Sequence, residues 1–135
     1  MKRTTRFLSC LLLPFLWAAC TPHVTDDTVF SLYYYNIGLT AGETISISPS
    51  YMGAPPTDFR IYSITRNGKV FYDPRLDGEL TEDDSFYINP SDGQFFVLNT
   101  AEMDTGTYVI SLTCNSDGVG YDCPGIITVE IKSAE

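Results

Sequence analysis

Apolar and polar positions alternate with period two over short runs, and nowhere does a helical period persist for ten residues. The clearest run is the last: Ile127, Val129 and Ile131 point one way and Thr128, Glu130 and Lys132 the other, within a strand expected over residues 123–132. A long strand is expected before it, over residues 105–114. Residues 86–88 and 94–98 read as strands flanking the turn Asn89-Pro90-Ser91-Asp92-Gly93. Nearer the start, residues 29–36 form an aromatic strand, residues 37–40 a second short strand or bend, and residues 44–48 a third with Ile45 and Ile47 inward. Phe59, Ile61 and Ser63 share one strand face, and Tyr62 and Ile64 the other. Asn67-Gly68 is a hairpin turn from which residues 69–72 return. Residues 49–56 read as a loop rich in Gly and Pro, and residues 73–85 as an acidic loop with one helical turn near 81–84. Strands at short intervals with turn residues between them predict an all-β domain, a β-sandwich of about seven strands over residues 30–133.

The first nineteen residues stand apart from that domain. Lys2, Arg3 and Arg6 precede an apolar core over residues 7–17, too short for a permanent membrane span, and Ala18-Ala19 leads into Cys20. Small residues followed at once by cysteine resemble a bacterial lipoprotein signal, in which the cysteine becomes the acylated first residue. The resemblance implies a signal peptide over residues 1–19, lipidation at Cys20, and an outer membrane lipoprotein at the cell surface. Trp17 stands where such signals carry leucine, with Leu16 one place earlier. An ordinary cleaved signal with an incidental cysteine is the alternative. Residues 20–29 read as a tether, with an acidic pair at Asp26-Asp27.

Charge narrows the partners. From Cys20 onward the chain keeps five basic residues against seventeen acidic ones, a side-chain balance of −12. That acidity argues against nucleic acid and against anionic lipid on the folded surface. Contact with the membrane is expected through the acyl chains alone.

Four cysteines sort by fate. Cys10 leaves with the signal and Cys20 takes lipid. Cys114 and Cys123 remain, an even pair in an exported chain, and a disulfide between them is expected to close a long hairpin loop over residues 115–122. Its stabilisation would be about 2–3 kcal/mol. Two free buried thiols are the alternative. Two cysteines without a neighbouring histidine make no complete zinc site.

The segment Asp104-Thr105-Gly106-Thr107-Tyr108 looks like the tyrosine corner of immunoglobulin-like domains, in which the ring packs inside and the hydroxyl bonds back to main chain. Ile110 stands where antibody-type domains carry cysteine, and Trp17 lies in the signal, so the antibody type is excluded. Residues 86–97, with Asn89-Pro90 and Gly93, followed by Gly106-Thr107-Tyr108, follow the order of cadherin-like domains. With the lipoprotein start, the chain is similar to the N-terminal cadherin-like or Ig-like modules of Bacteroidetes surface glycan-binding lipoproteins. The resemblance implies a lipid-anchored spacer or binding domain in surface polysaccharide capture. Its partners would be the membrane, through lipid, and a polysaccharide or an adjacent glycan-binding domain. The alternative is an adhesion or pilus-like assembly subunit that binds protein.

Three chemistries have candidate residues in the chain. Cadherin-like repeats bind calcium, and Glu102, Asp104, Asp117, Asp122 and the six acids of residues 73–84 are candidate ligands. They lack the ligand spacing that calcium needs, and no cofactor or metal is expected. Sugars stack on aromatic faces, so Tyr33, Tyr34, Tyr35 and Tyr121 are candidate binding residues. Neighbours on a strand point to opposite faces, so three successive tyrosines cannot all be core. An enzyme is not expected, since the lone His23 lies in the tether and no nucleophile elbow or phosphate loop is present.

Overall fold

The computed structural model describes residues 20–22, 30–81 and 83–134. The expected signal peptide and residues 23–29 of the expected tether lie outside the described residues. Of that tether, Thr21–Pro22 forms strand β1. Ten further strands follow: β2 (Ser31–Tyr33), β3 (Ile37–Thr40), β4 (Ile45–Ile47), β5 (Ser50–Met52), β6 (Pro56–Arg66), β7 (Lys69–Tyr72), β8 (Phe86–Ile88), β9 (Phe95–Val97), β10 (Gly106–Ser116) and β11 (Val119–Lys132). The larger sheet has the order β1-β11-β10-β6-β7, with β3 running parallel along β11. The second layer is made of β4-β9-β8 and the two-stranded β2-β5.

One core joins the layers. Tyr108, Ile110 and Leu112 of β10 and Ile127 and Val129 of β11 are fully buried, as the period-two pattern requires. They meet Phe86, Phe95 and Val97 of the second layer; Phe86 and Tyr108 lie 5.3 Å apart, and Phe86 stacks on Phe95 at 5.9 Å. Burying side chains of this size stabilises the fold by about 1.5–3 kcal/mol each.

Strand β6 does not keep a single phase. Ser111 pairs with Ser63 but Leu112 pairs with Ile61, so Tyr62 is an extra residue bulged out of the ladder. The bulge brings Ile64 onto the same buried face as Ile61, where simple alternation had set them apart. A second register shift lies beside Asp58, whose φ is 61°.

Two hairpins close on tight turns. Asn67 and Gly68 have φ of 51° and 84°, and Asp117 and Gly118 have 53° and 79°, the left-handed pairs that a two-residue hairpin requires. The second replaces the open loop expected over residues 115–122: Ser116 pairs directly with Val119, and Cys114 with Tyr121. Three smaller expectations also change. The loop at 49–56 contains β5 and the start of β6. Ile45 is 37% exposed because β4 is the rim strand of its sheet, so its inner face is only partly covered. The helical turn lies at α1 (Pro74–Asp77), not at 81–84: Asp73 caps it by accepting from the Arg75 N–H, and Pro74 opens it. Residues 81–84 form a bonded turn instead, in which the Asp84 N–H donates to the Thr81 carbonyl at 3.0 Å.

Candidate functional site

A concavity lies where the edge of β6 faces the edge of β8. Beyond Ile64, β6 has no pairing with β7, and β8 pairs only with β9, so both strands present an open edge. One main-chain bond ties β6 to the turn after β8, Phe59 N–H to the Pro90 carbonyl at 3.0 Å. Above that bond the edges part, and the loop from Tyr72 to Thr81 covers the gap. The resulting cleft is about 500 Å³. Inward residues Phe59, Ile61 and Ile88 form its floor, and outward residues Arg60, Tyr62 and Tyr87 its rims.

Each rim residue has a local cause. Tyr62 is turned out by the bulge and is 36% exposed. Tyr87 is held from behind by Phe96, with ring centroids 6.0 Å apart. Arg60 Nη1 donates to Glu79 Oε2 at 3.1 Å, a solvent-exposed pair that bridges β6 to the covering loop. Tyr72 ties the loop down by donating its hydroxyl to the Gly78 carbonyl. Burial first, and then Asp77 and Glu79, push its phenol up from the ordinary tyrosine value. At the base of the loop, hydrogen bonds from Arg75 hold the Asp73 carboxyl below its usual range.

The residues singled out from the sequence are scattered. Tyr34 is 2% exposed and donates its hydroxyl to the Gly93 carbonyl at 2.7 Å; Tyr121 is 3% exposed, its ring 4.6 Å from Phe30. Both are core, and neither can stack on a sugar. Tyr33 and Tyr35 face outward on the β2 side, edge to face at 5.2 Å. Tyr108 is fully buried, and its hydroxyl donates to the Asp104 carbonyl at 2.7 Å, four residues upstream. Gly106 beside it, at φ 143°, lies against the Asn67 amide. Among the described residues, no three or more His, Cys, Asp or Glu are grouped to hold a metal ion, and no helix is long and apolar enough to cross a membrane.

The cysteines pair differently from expectation. The disulfide joins Cys20 to Cys123, and Cys114 is a free buried thiol. Register is the reason. With the turn at Asp117-Gly118, Cys123 stands opposite Leu112 and Cys114 opposite Tyr121. Cys114 and Cys123 are therefore diagonal neighbours, about 7–8 Å apart at Cα, beyond the ~6.8 Å limit for a bridge. Thr21 and Pro22, paired with Asp122 and Tyr121, bring Cys20 beside Cys123 instead. Burial pushes the Cys114 thiol up to about 11, so little thiolate forms at neutral pH to attack that bond.

Fold and topology place the protein among immunoglobulin-like β-sandwiches. Residues 18–134 match the family model for the N-terminal module of BT4661-like surface glycan binding proteins, and the chain belongs to that family. Among solved structures it is similar to BT4661, a SusE-like surface located polysaccharide binding protein from the Bacteroides thetaiotaomicron heparin utilisation locus. The two are 27% identical with a TM-score of 0.61, over 75% of this chain and 16% of that one. The chain thus spans a small part of that protein's length. No curated protein matches it.

Tyr62 and Tyr87, the aromatic rims of the cleft, were not among the residues expected to bind. No local signal marks them, since they come from separate sheets and Tyr62 is turned out by a bulge.

Proposed function

We propose that this chain is a lipid-anchored module of the cell envelope that serves polysaccharide capture at the cell surface, as a spacer or a binding domain. The observation that carries the reading is membership, over residues 18–134, in a family of N-terminal modules of surface glycan binding proteins. The module is a binding or projecting element, not a catalyst. Its partners are the membrane, through lipid on Cys20, and a polysaccharide or an adjacent glycan-binding domain. One sulfur cannot carry both a thioether and a disulfide. Acylation of Cys20 therefore precedes folding in this reading, and Cys123 then stays a buried thiol beside Cys114. Affinity electrophoresis of the chain through gels containing polysaccharide tests direct capture, and retardation is the result expected of a binding domain. A chain that no polysaccharide retards, and that instead draws one stable protein from envelope extracts, would favour an adhesion or assembly subunit and overturn the reading.

A further inference from the structure

We propose that the cleft between the β6 and β8 edges is itself a saccharide subsite, and that it takes an uncharged oligosaccharide of two or three rings. The inference rests on the polysaccharide-capture reading and names the site and the ligand class within it.

Three observations converge on this cleft. First, its rims are aromatic and come from opposite sheets: Tyr62 stands out on the bulge of β6, and Tyr87 rises from β8 with Phe96 behind it. The C–H faces of a sugar ring pack on such rings, whose hydroxyls remain available for hydrogen bonds. Second, polar groups of both kinds surround the rings. The Arg60 guanidinium offers donors, the Glu79 carboxylate acceptors, and the hydroxyls of Thr81 and Thr113 offer both, a set suited to adjacent sugar hydroxyls. Third, a volume of about 500 Å³ lies within the range of small-ligand sites and leaves room for about two or three pyranose rings.

Charge sets the ligand class. Arg60 is the only basic residue among the described lining residues, and Glu79 already pairs with it. Beyond the lining, Asp73, Asp77 and Asp84 lie near enough to Tyr72 to act on its phenol, and Arg75 of the same loop is already paired with Asp73 at 2.8 Å. A sulfated or carboxylated glycan meets a field of its own sign here and, among the described lining residues, no free cation to answer it. The aromatic pair at Tyr33 and Tyr35 is also exposed, but neither residue lines the cleft.

Calorimetric titration of the folded chain tests the proposal, using neutral trisaccharides of gluco, xylo and manno configuration and a heparin-derived disaccharide as the anionic probe. At least one neutral trisaccharide is expected to bind, and the anionic probe is not. Tyr62→Ala and Tyr87→Ala should each weaken binding about tenfold, while Tyr35→Ala leaves it within twofold. Tyr62 is exposed on a bulge, so circular dichroism of Tyr62→Ala should match the parent and separate lost binding from lost folding. Preference for the anionic probe, loss of binding in Tyr35→Ala instead of Tyr62→Ala, or no binding of any trisaccharide would overturn the proposal. A chain retarded by polysaccharide to the same extent with and without Tyr62→Ala would overturn the cleft and leave the capture reading standing. A chain retarded by none would overturn the cleft and direct capture together and leave the spacer role.

Discussion

Replacing Gly93 by alanine perturbs a close contact between the two layers, the turn before β9 against Phe59 of β6. Gly93 closes the turn before β9 at φ 78°, its N–H donates to the Asn89 carbonyl at 2.9 Å, and its own carbonyl accepts from Tyr34. A Cβ built there would lie 2.6, 2.7 and 2.8 Å from Cζ, Cε2 and Cε1 of Phe59. Carbon atoms in contact settle near ~3.5–4.0 Å, so the ring would have to withdraw by roughly 1 Å. It has little room to do so: Phe59 is 1% exposed, and its N–H is bonded to Pro90 in the same turn. Overpacking of this kind costs about 1–3 kcal/mol, and a side chain in the left-handed region adds about 1–2 kcal/mol. The expected loss is therefore about 2–5 kcal/mol, a large share of the ~5–15 kcal/mol that holds a domain of this size together. Urea unfolding followed by far-ultraviolet circular dichroism reads it as a lower midpoint at unchanged slope. Trimming the ring with Phe59→Leu should relieve the clash, so the double variant should lose at least ~1 kcal/mol less than the two single losses combined. Gly93→Ala within ~0.5 kcal/mol of the parent would refute the reasoning. Because Phe59 also floors the cleft, saccharide affinity should fall along with stability.

Other consequences are independent of that contact. Tyr108→Phe removes the hydrogen bond to Asp104 and should cost about 0.5–1.5 kcal/mol, measured by the same urea titration; no change would mean the corner stands on ring packing alone. The Cys114 thiol has its folded value raised from 9.0 to about 11 by burial, so its contribution to stability is complete below pH 9 and is lost as pH rises through about 11. Tyr34 and Tyr108, also raised by burial, add the same sign from about pH 10 upward. Urea midpoints should therefore fall from pH 8.5 to 11, less steeply in Cys114→Ala, and a rise over that window would contradict the assignment. Non-reducing peptide mapping of unacylated chain should join the Cys20 and Cys123 peptides and leave Cys114 single; a peptide linking Cys114 to Cys123 would refute the register. Cys20→Ala should release the protein from membranes, and unchanged fractionation would remove the lipid anchor.

Local signals carried much of the fold. The last strand, the Asn67-Gly68 hairpin and the strand-turn-strand around Gly93 all lie where alternation and turn chemistry put them, because each depends on a few adjacent residues. The phase of β6 was hidden, because a bulge at Tyr62 is imposed by the partner strand β10 and leaves no mark in β6 itself. Asp117-Gly118 carries the same hairpin signal as Asn67-Gly68, but the cysteines on either side suggested a bridged loop, and the pairing depends on register that only the folded ladder sets. Alternation along Tyr33-Tyr34-Tyr35 required that one or two be outward, but which one turned inward was decided by the Gly93 carbonyl, 59 residues away. For the same reason the candidate site was not legible. Its two rims are separated in sequence and belong to different sheets.

The most direct measurement is a heteronuclear NMR titration of the folded chain with the neutral trisaccharide that binds most tightly. The account predicts amide shifts concentrated at Arg60 to Tyr62, at Glu79 to Thr81 and at Tyr87, growing together and saturating with one affinity. Shifts centred instead on Tyr33 and Tyr35, or none at saturating sugar, would contradict it.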